Sequence, residues 1–279
     1  MDILVCRRRH CSPVSCRRSR YRRTGNGSGA TRIEADLSIN RGEKLMRRAS
    51  TCLALLGCLA VVGLPAVASA AAPTATFKAK AVPIPKPGGG TYPHTGNILP
   101  KKGGLGAALE ANYVIDGSGY GATPQKPEGG IPPLAAVNFY LPAGAKINGT
   151  GFPTCSEEVL KNTGPSGCSK TSVASPVGNA LGEVSFGTER VPETATLQAF
   201  FGSNKGLLFY VQGSSPVSLE FVSSGTYTSY NKEGYGLELK TTVPAIATVP
   251  GAPLASTKNI NIKVGAAIKK GKKLLSYGT

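Results

Sequence analysis

From Ala75 onward the chain repeats one pattern: short runs of alternating apolar and polar residues, separated by Gly- and Pro-rich connections. "ATFKAKAVPIP" sets Phe77, Ala79 and Ala81 on one side and Lys78 and Lys80 on the other. A period of two marks a strand with one buried face. Strand-like runs follow at 105–117 and 133–142, then in quick succession at 180–188, 194–202, 206–213, 216–230, 235–243, 258–267 and 272–279. "GSNKG" and "YNKEGYG" have the form of hairpin connections. One stretch reads as a helix, "SEEVLKNTG" at 156–164. Ser156 can cap it, Glu157 and Glu158 suit its positive N-terminal end, and Gly164 can stop it. Many short strands, one short helix and turns drawn from 36 Gly and 21 Pro predict an all-β fold. The expected form is an antiparallel β-sandwich of jelly-roll type; a β-barrel is the alternative.

A different pattern precedes these strands. "EKLMRRASTCLALLGCLAVVGLPAVASAAAP" (43–73) has a basic start at Arg47 and Arg48, an apolar run from Cys52 to Val67, and the small-x-small site Ala68-Ser69-Ala70. These are the parts of a secretory signal peptide, which places cleavage between Ala70 and Ala71. The run is shorter than the ~20 apolar residues of a membrane span. The expected organisation is therefore a signal peptide at 46–70 and a single β domain at 71–279. Residues 1–45 read as an untranslated or disordered basic extension, because Arg41-Gly42-Glu43 can be encoded as a purine run like a ribosome-binding site ahead of Met46. "LLSYGT" reads as a strand just begun, so the domain is expected to be incomplete at its C-terminus.

This division changes what the composition means. The net charge of +17 suggests a nucleic-acid partner, but residues 1–45 hold 11 Lys/Arg against four acids, whereas 71–279 hold 19 against 11. No nucleic-acid partner is expected for the exported part. Of the seven cysteines only Cys155 and Cys168 lie beyond the signal. In an oxidising compartment they can close a small loop worth ~3 kcal/mol in the chain-entropy model; two free thiols are the alternative.

Candidate chemistry is sparse. Beyond residue 70 the chain has one histidine, His94, and one aspartate, Asp116. A Ser-His-Asp triad would need both, and no Ser is framed as a nucleophile. His94 in "YPHTGN" reads as a turn residue. No metal or cofactor motif appears. Glu183, Glu189, Glu193, Glu220 and Glu238 could serve a glycosidase, which needs two carboxylates across a cleft, but no pair stands out. Tyr227, Tyr230 and Tyr235 come together on one hairpin, with Tyr227 and Tyr230 on opposite strand faces. Lys269, Lys270, Lys272 and Lys273 make the end of the sequence basic. They are candidates for contact with an anionic cell-wall polymer or glycan, or they guard edge strands against aggregation.

Several stretches together, "FKAKAVPIP", "PHTGNIL", "NFYLPAGAKINGTGFPTC", "GPSGC", "VGNALGEVSFGTERVPETATL", "SPVSLEF" and "VPGAP…NINIKVGAA", resemble a group of uncharacterised secreted proteins from high-GC actinobacteria. The resemblance covers nearly all of residues 75–279. It implies export and a chain that continues past "YGT" into another Cys-containing stretch. It carries no activity, ligand or catalytic residue. The expected function is a non-catalytic binding or structural role outside the cell or at its envelope; the alternative is a secreted polysaccharide hydrolase using paired glutamates.

Overall fold

The computed structural model describes residues 33–34, 73–96, 105–124, 127–186 and 189–279. The expected signal peptide (46–70), its cleavage site (Ala68, Ala70, Ala71) and nearly all of the basic extension lie outside these residues.

The fold is all-β and antiparallel, with one short α-helix. Its strands are β1 (Ile33–Glu34), β2 (Thr74–Val82), β3 (Ala108–Asp116), β4 (Ala136–Pro142), β5 (Gly178–Phe186), β6 (Glu189–Phe201), β7 (Leu207–Ser215), β8 (Leu219–Lys232), β9 (Tyr235–Thr242), β10 (Ser256–Val264), β11 (Ala267–Lys270) and β12 (Lys273–Ser276). The helix α1 spans Glu157–Thr163. One sheet takes the order β1-β4-β9-β8-β7-β6-β5-β10-β3-β2, and β11 and β12 form a separate hairpin. All strands but β11 and β12 thus lie in one curled sheet, the barrel-like form of the two expected. Strand β2, at one edge, and β4, which carries the short β1 on its other side, meet through side chains: the rings of Phe77 and Phe139 pack edge to face with centroids 6.0 Å apart.

Alternation along the strands sorts two cores. On β7, Leu207 and Phe209 point into the curl with Leu197, Ala199, Phe201, Leu239 and Ile262. Leu208 and Tyr210 point outward and meet Phe200, Val222, Leu160 and Cys155 under α1. The helix forms as its sequence suggests. The Ser156 hydroxyl accepts from the Val159 N–H, and the Gly164 N–H closes on the Leu160 carbonyl. Cys155 and Cys168 are disulfide-bonded with Cα atoms 5.6 Å apart. The bond fastens α1 and the following 3-10 turn, Gly164–Gly167, to the outside of the sheet.

Turn chemistry sets the register. The β8–β9 hairpin turns on Glu233 and Gly234, both in the left-handed region (φ 54° and 83°), which suits a two-residue hairpin loop. The β6–β7 connection uses Asn204 and Lys205 in the same region (φ 52° and 62°). Strand β6 begins earlier than alternation suggests, at Glu189, and runs through Pro192. That is tolerated because Pro192 pairs only with β5, and pairing to β7 starts at Thr194. The 272–279 run splits: β12 pairs with β11, Tyr277 enters the core, and Gly278 bridges to Ile147.

Candidate functional site

The inside of the curl is not filled. A first chamber of ≈ 120 Å³ is walled by Leu141, Leu207, Tyr227, Val264 and Tyr277 among others. A second, of ≈ 90 Å³, is walled by Phe77, Tyr113, Leu134, Val211, Val243 and Ile260 among others. Ala111, Phe139, Phe209 and Ile262 line both, so the two chambers abut at a waist. The strands build this space by putting alternate apolar residues inward, with small ones such as Ala111 leaving room between large ones.

Few polar atoms interrupt the walls. In the first chamber the Tyr277 hydroxyl donates to the Lys205 carbonyl at 2.5 Å. The Tyr227 hydroxyl hydrogen-bonds to that of Tyr277. Loss of hydration pushes both phenols above their ordinary range, and in Tyr277 the neighbouring Tyr227 adds to the effect. Lys146 lines the same chamber. In the second chamber Tyr113 is also raised, by burial. Ser223 (5% exposed) and Thr241 (6% exposed) supply the hydroxyls there, together with Thr257.

A third space lies outside the sheet. Glu157 and Lys161 of α1, with Tyr210, Glu220, Ser224 and Thr242 of the strands, border a groove of ≈ 430 Å³. Glu157 pairs with Lys161 at 2.6 Å. Glu220 accepts from Gln212 Nε2 at 2.9 Å. Tyr210 is pushed up to about 12, first by burial and then by its hydrogen bond and charge repulsion with Glu220.

The residues singled out in the sequence are distributed as follows. His94 is exposed at a turn with φ 59°. The local hydrogen bonds there belong to Thr95, which accepts from the Ile84 N–H and donates to the Tyr92 carbonyl. Asp116 is exposed opposite Thr74, at the other end of β2 from that turn. Eight residues of strand, ~26 Å, separate those ends, so the two cannot share a triad.

The glutamates have partners of their own. Glu193 is buried, and its carboxylate accepts from the Ser215 and Val217 N–H groups at 3.2 and 3.1 Å. Glu183 meets Arg190 at 3.4 Å; Arg190 is held in turn by Ser185, Ser256 and the Ile131 carbonyl. Glu238 lies 3.6 Å from Lys240, and Glu189 is exposed.

Tyr227 faces inward, while Tyr230 and Tyr235 pack on Tyr140 with centroids 4.5 and 5.9 Å away. Those rings cover one another rather than forming an open platform. Lys269, Lys270, Lys272 and Lys273 are all exposed around the β11–β12 turn.

Among the described residues no group of three or more His, Cys, Asp or Glu is placed to hold a metal, and no helix is long and apolar enough to cross a membrane. No family model, curated protein or solved structure matches the chain. The interior chambers escape sequence reading because alternation shows which residues share a face, not that the face curls around a space.

Proposed function

We propose that this is an exported, non-catalytic binding protein whose curled sheet holds a small apolar molecule in its interior. The observation that carries the reading is the pair of abutting chambers, ≈ 120 and ≈ 90 Å³, walled almost wholly by carbon. A compact core leaves few voids larger than a water molecule. Apolar cavities near 150 Å³ stay dry and take up benzene or xenon. Curled sheets of this size hold one small ligand when side chains leave the middle open. The side-chain seam at Phe77 and Phe139 offers access, since ring rotation there breaks no ladder hydrogen bond.

Export draws support from the signal-like segment and from a disulfide suited to an oxidising compartment. The four exposed lysines on the β11–β12 hairpin suit contact with an anionic wall polymer or glycan. Two measurements test this reading. Xenon titration followed by 129Xe NMR should give a saturable shift; a shift linear in xenon pressure overturns interior binding. N-terminal sequencing of the mature protein should begin at Ala71; a start at Met1 overturns export through this signal.

The alternative, a polysaccharide hydrolase using paired glutamates, draws support from the outer groove, which Glu157 and Glu220 both line. If it holds, glycan hydrolysis is abolished in both Glu157→Gln and Glu220→Gln.

A further inference from the structure

Thr241 is out of place in the wall of the second chamber. It is 94% buried, and its Oγ1 is the one buried side-chain polar atom among the described residues with no hydrogen-bond partner. Buried hydroxyls ordinarily find a partner, because an unpaired one has lost water and gained nothing. The strand on either side supplies none. Directly opposite Thr241 on β8 is Gly225.

Gly225 is unusual as well. It sits inside a long strand, is buried, and its backbone is not in the left-handed region that would call for glycine. Glycine in a strand interior weakens the strand and often marks a close approach by another group. A Cβ built there would lie 3.0 Å from Leu239 Cδ1, 3.1 Å from Thr241 Oγ1 and 3.4 Å from Phe209 Cε2. The glycine lets Leu239 and Phe209 close in beside the hydroxyl, yet these neighbours are carbon and offer it no partner. Two residues back along the same face of β8, Ser223 brings a second hydroxyl to the same chamber.

We infer that this corner is a recognition point. Resting on the interior binding proposed above, it selects an uncharged apolar molecule with one hydrogen-bond-accepting oxygen, such as a ketone or an ester. Thr241 Oγ1–H donates to that oxygen, and the carbon skeleton fills the rest of the chamber. A carboxylate is disfavoured: no Lys, Arg or His lines the second chamber, and an unpaired charge there would be desolvated without compensation.

Three probes of matched size separate the possibilities: hexan-2-one, its hydrocarbon isostere 2-methyl-1-hexene, and hexanoate. Binding is read from methyl 1H–13C NMR shifts of the full protein. The wild type should bind the ketone about 3- to 10-fold more tightly than the alkene, the range of one neutral hydrogen bond, with hexanoate weakest. Thr241→Val keeps the shape and removes the hydroxyl. It should bind the alkene as before and lose the preference for the ketone, whereas Thr241→Ser should retain it. Because the hydroxyl is unpartnered, Thr241→Val should unfold no earlier than the wild type, so loss of preference is not loss of fold.

Equal binding of ketone and alkene by the wild type overturns the inference. So does a preference that survives in Thr241→Val, or hexanoate binding most tightly. If xenon and all three probes fail to bind, the interior-binding reading itself falls. If xenon and the alkene bind but the ketone gains nothing, only the role of Thr241 falls.

Discussion

Ala111→Val puts the empty interior to a direct test. Ala111 is 5% exposed, lies on β3 and lines both chambers at their waist. Residual cavity volume costs ~24 cal/mol per Å³. The first chamber, ≈ 120 Å³, thus forfeits ~3 kcal/mol and the second, ≈ 90 Å³, ~2 kcal/mol. Valine adds two carbons, each worth ~0.8 kcal/mol when buried, and is better suited than alanine to a strand. The expected gain is ~1–2 kcal/mol, or ~3–6 °C in Tm for a domain of this size. Urea unfolding at constant slope measures it. The same variant should bind hexan-2-one more weakly, because the new methyls occupy ligand space. The sign is the informative part. A well-filled interior would be overpacked by valine and lose ~1–3 kcal/mol. A fall in stability therefore refutes the chamber, and a gain with unchanged ligand binding refutes its use as the site.

Other parts of the structure give independent expectations. Glu193→Gln turns one carboxylate oxygen into a donor facing the N–H groups of Ser215 and Val217, and should lower stability by ~1–3 kcal/mol in urea unfolding. Reduction of Cys155–Cys168 should lower stability by ~3 kcal/mol yet leave ketone binding intact, since the bond lies on the outer face of the sheet; NMR titration with and without reductant checks both. Tyr210, Tyr113, Tyr227 and Tyr277 all have raised values in the folded protein. A raised folded value means the native state holds its proton more tightly than the unfolded chain. This contribution is complete below pH ~10 and is lost above it, for Tyr210 between that pH and about 12. Stability should be flat in this respect from pH 8 to 10 and then fall. Tyrosinate absorbance should show these phenols ionising later than free tyrosine; titration near pH 10 in the folded protein would contradict their burial.

Much of the architecture was legible along the chain. Alternation located the long strands, Ser156 and Gly164 bounded the helix, and "YNKEGYG" marked its hairpin. The opposite orientation of Tyr227 and Tyr230 also followed from parity. Long-range placement was not legible. Nothing in "FKAKAV" says that Phe77 meets Phe139 across 62 residues of chain, yet that contact joins β2 to β4 across the inside of the curl. Strand β6 starts at Glu189, ahead of the run read from 194, because a single sequence does not show which side of a strand lacks a neighbour at Pro192. The role of Glu193 depended on the backbone of a different hairpin. Thr241 was hidden for another reason: threonine is common in strands, and only the surrounding packing shows that its hydroxyl has nothing to bond.

Strand β7 faces two environments at once. Leu207, Phe209 and Val211 wall the interior, while Leu208 and Tyr210 seat α1 from outside. Lining of the interior and attachment of the helix are thereby assigned to alternate positions of the same five residues. A descendant sequence could exchange Phe209 or Val211 to admit a larger or differently shaped guest while Leu208 and Tyr210 kept the buckle fastened. The backbone acts as a partition between a variable set and a constant one. A sheet organised this way can reshape its interior without rebuilding its frame.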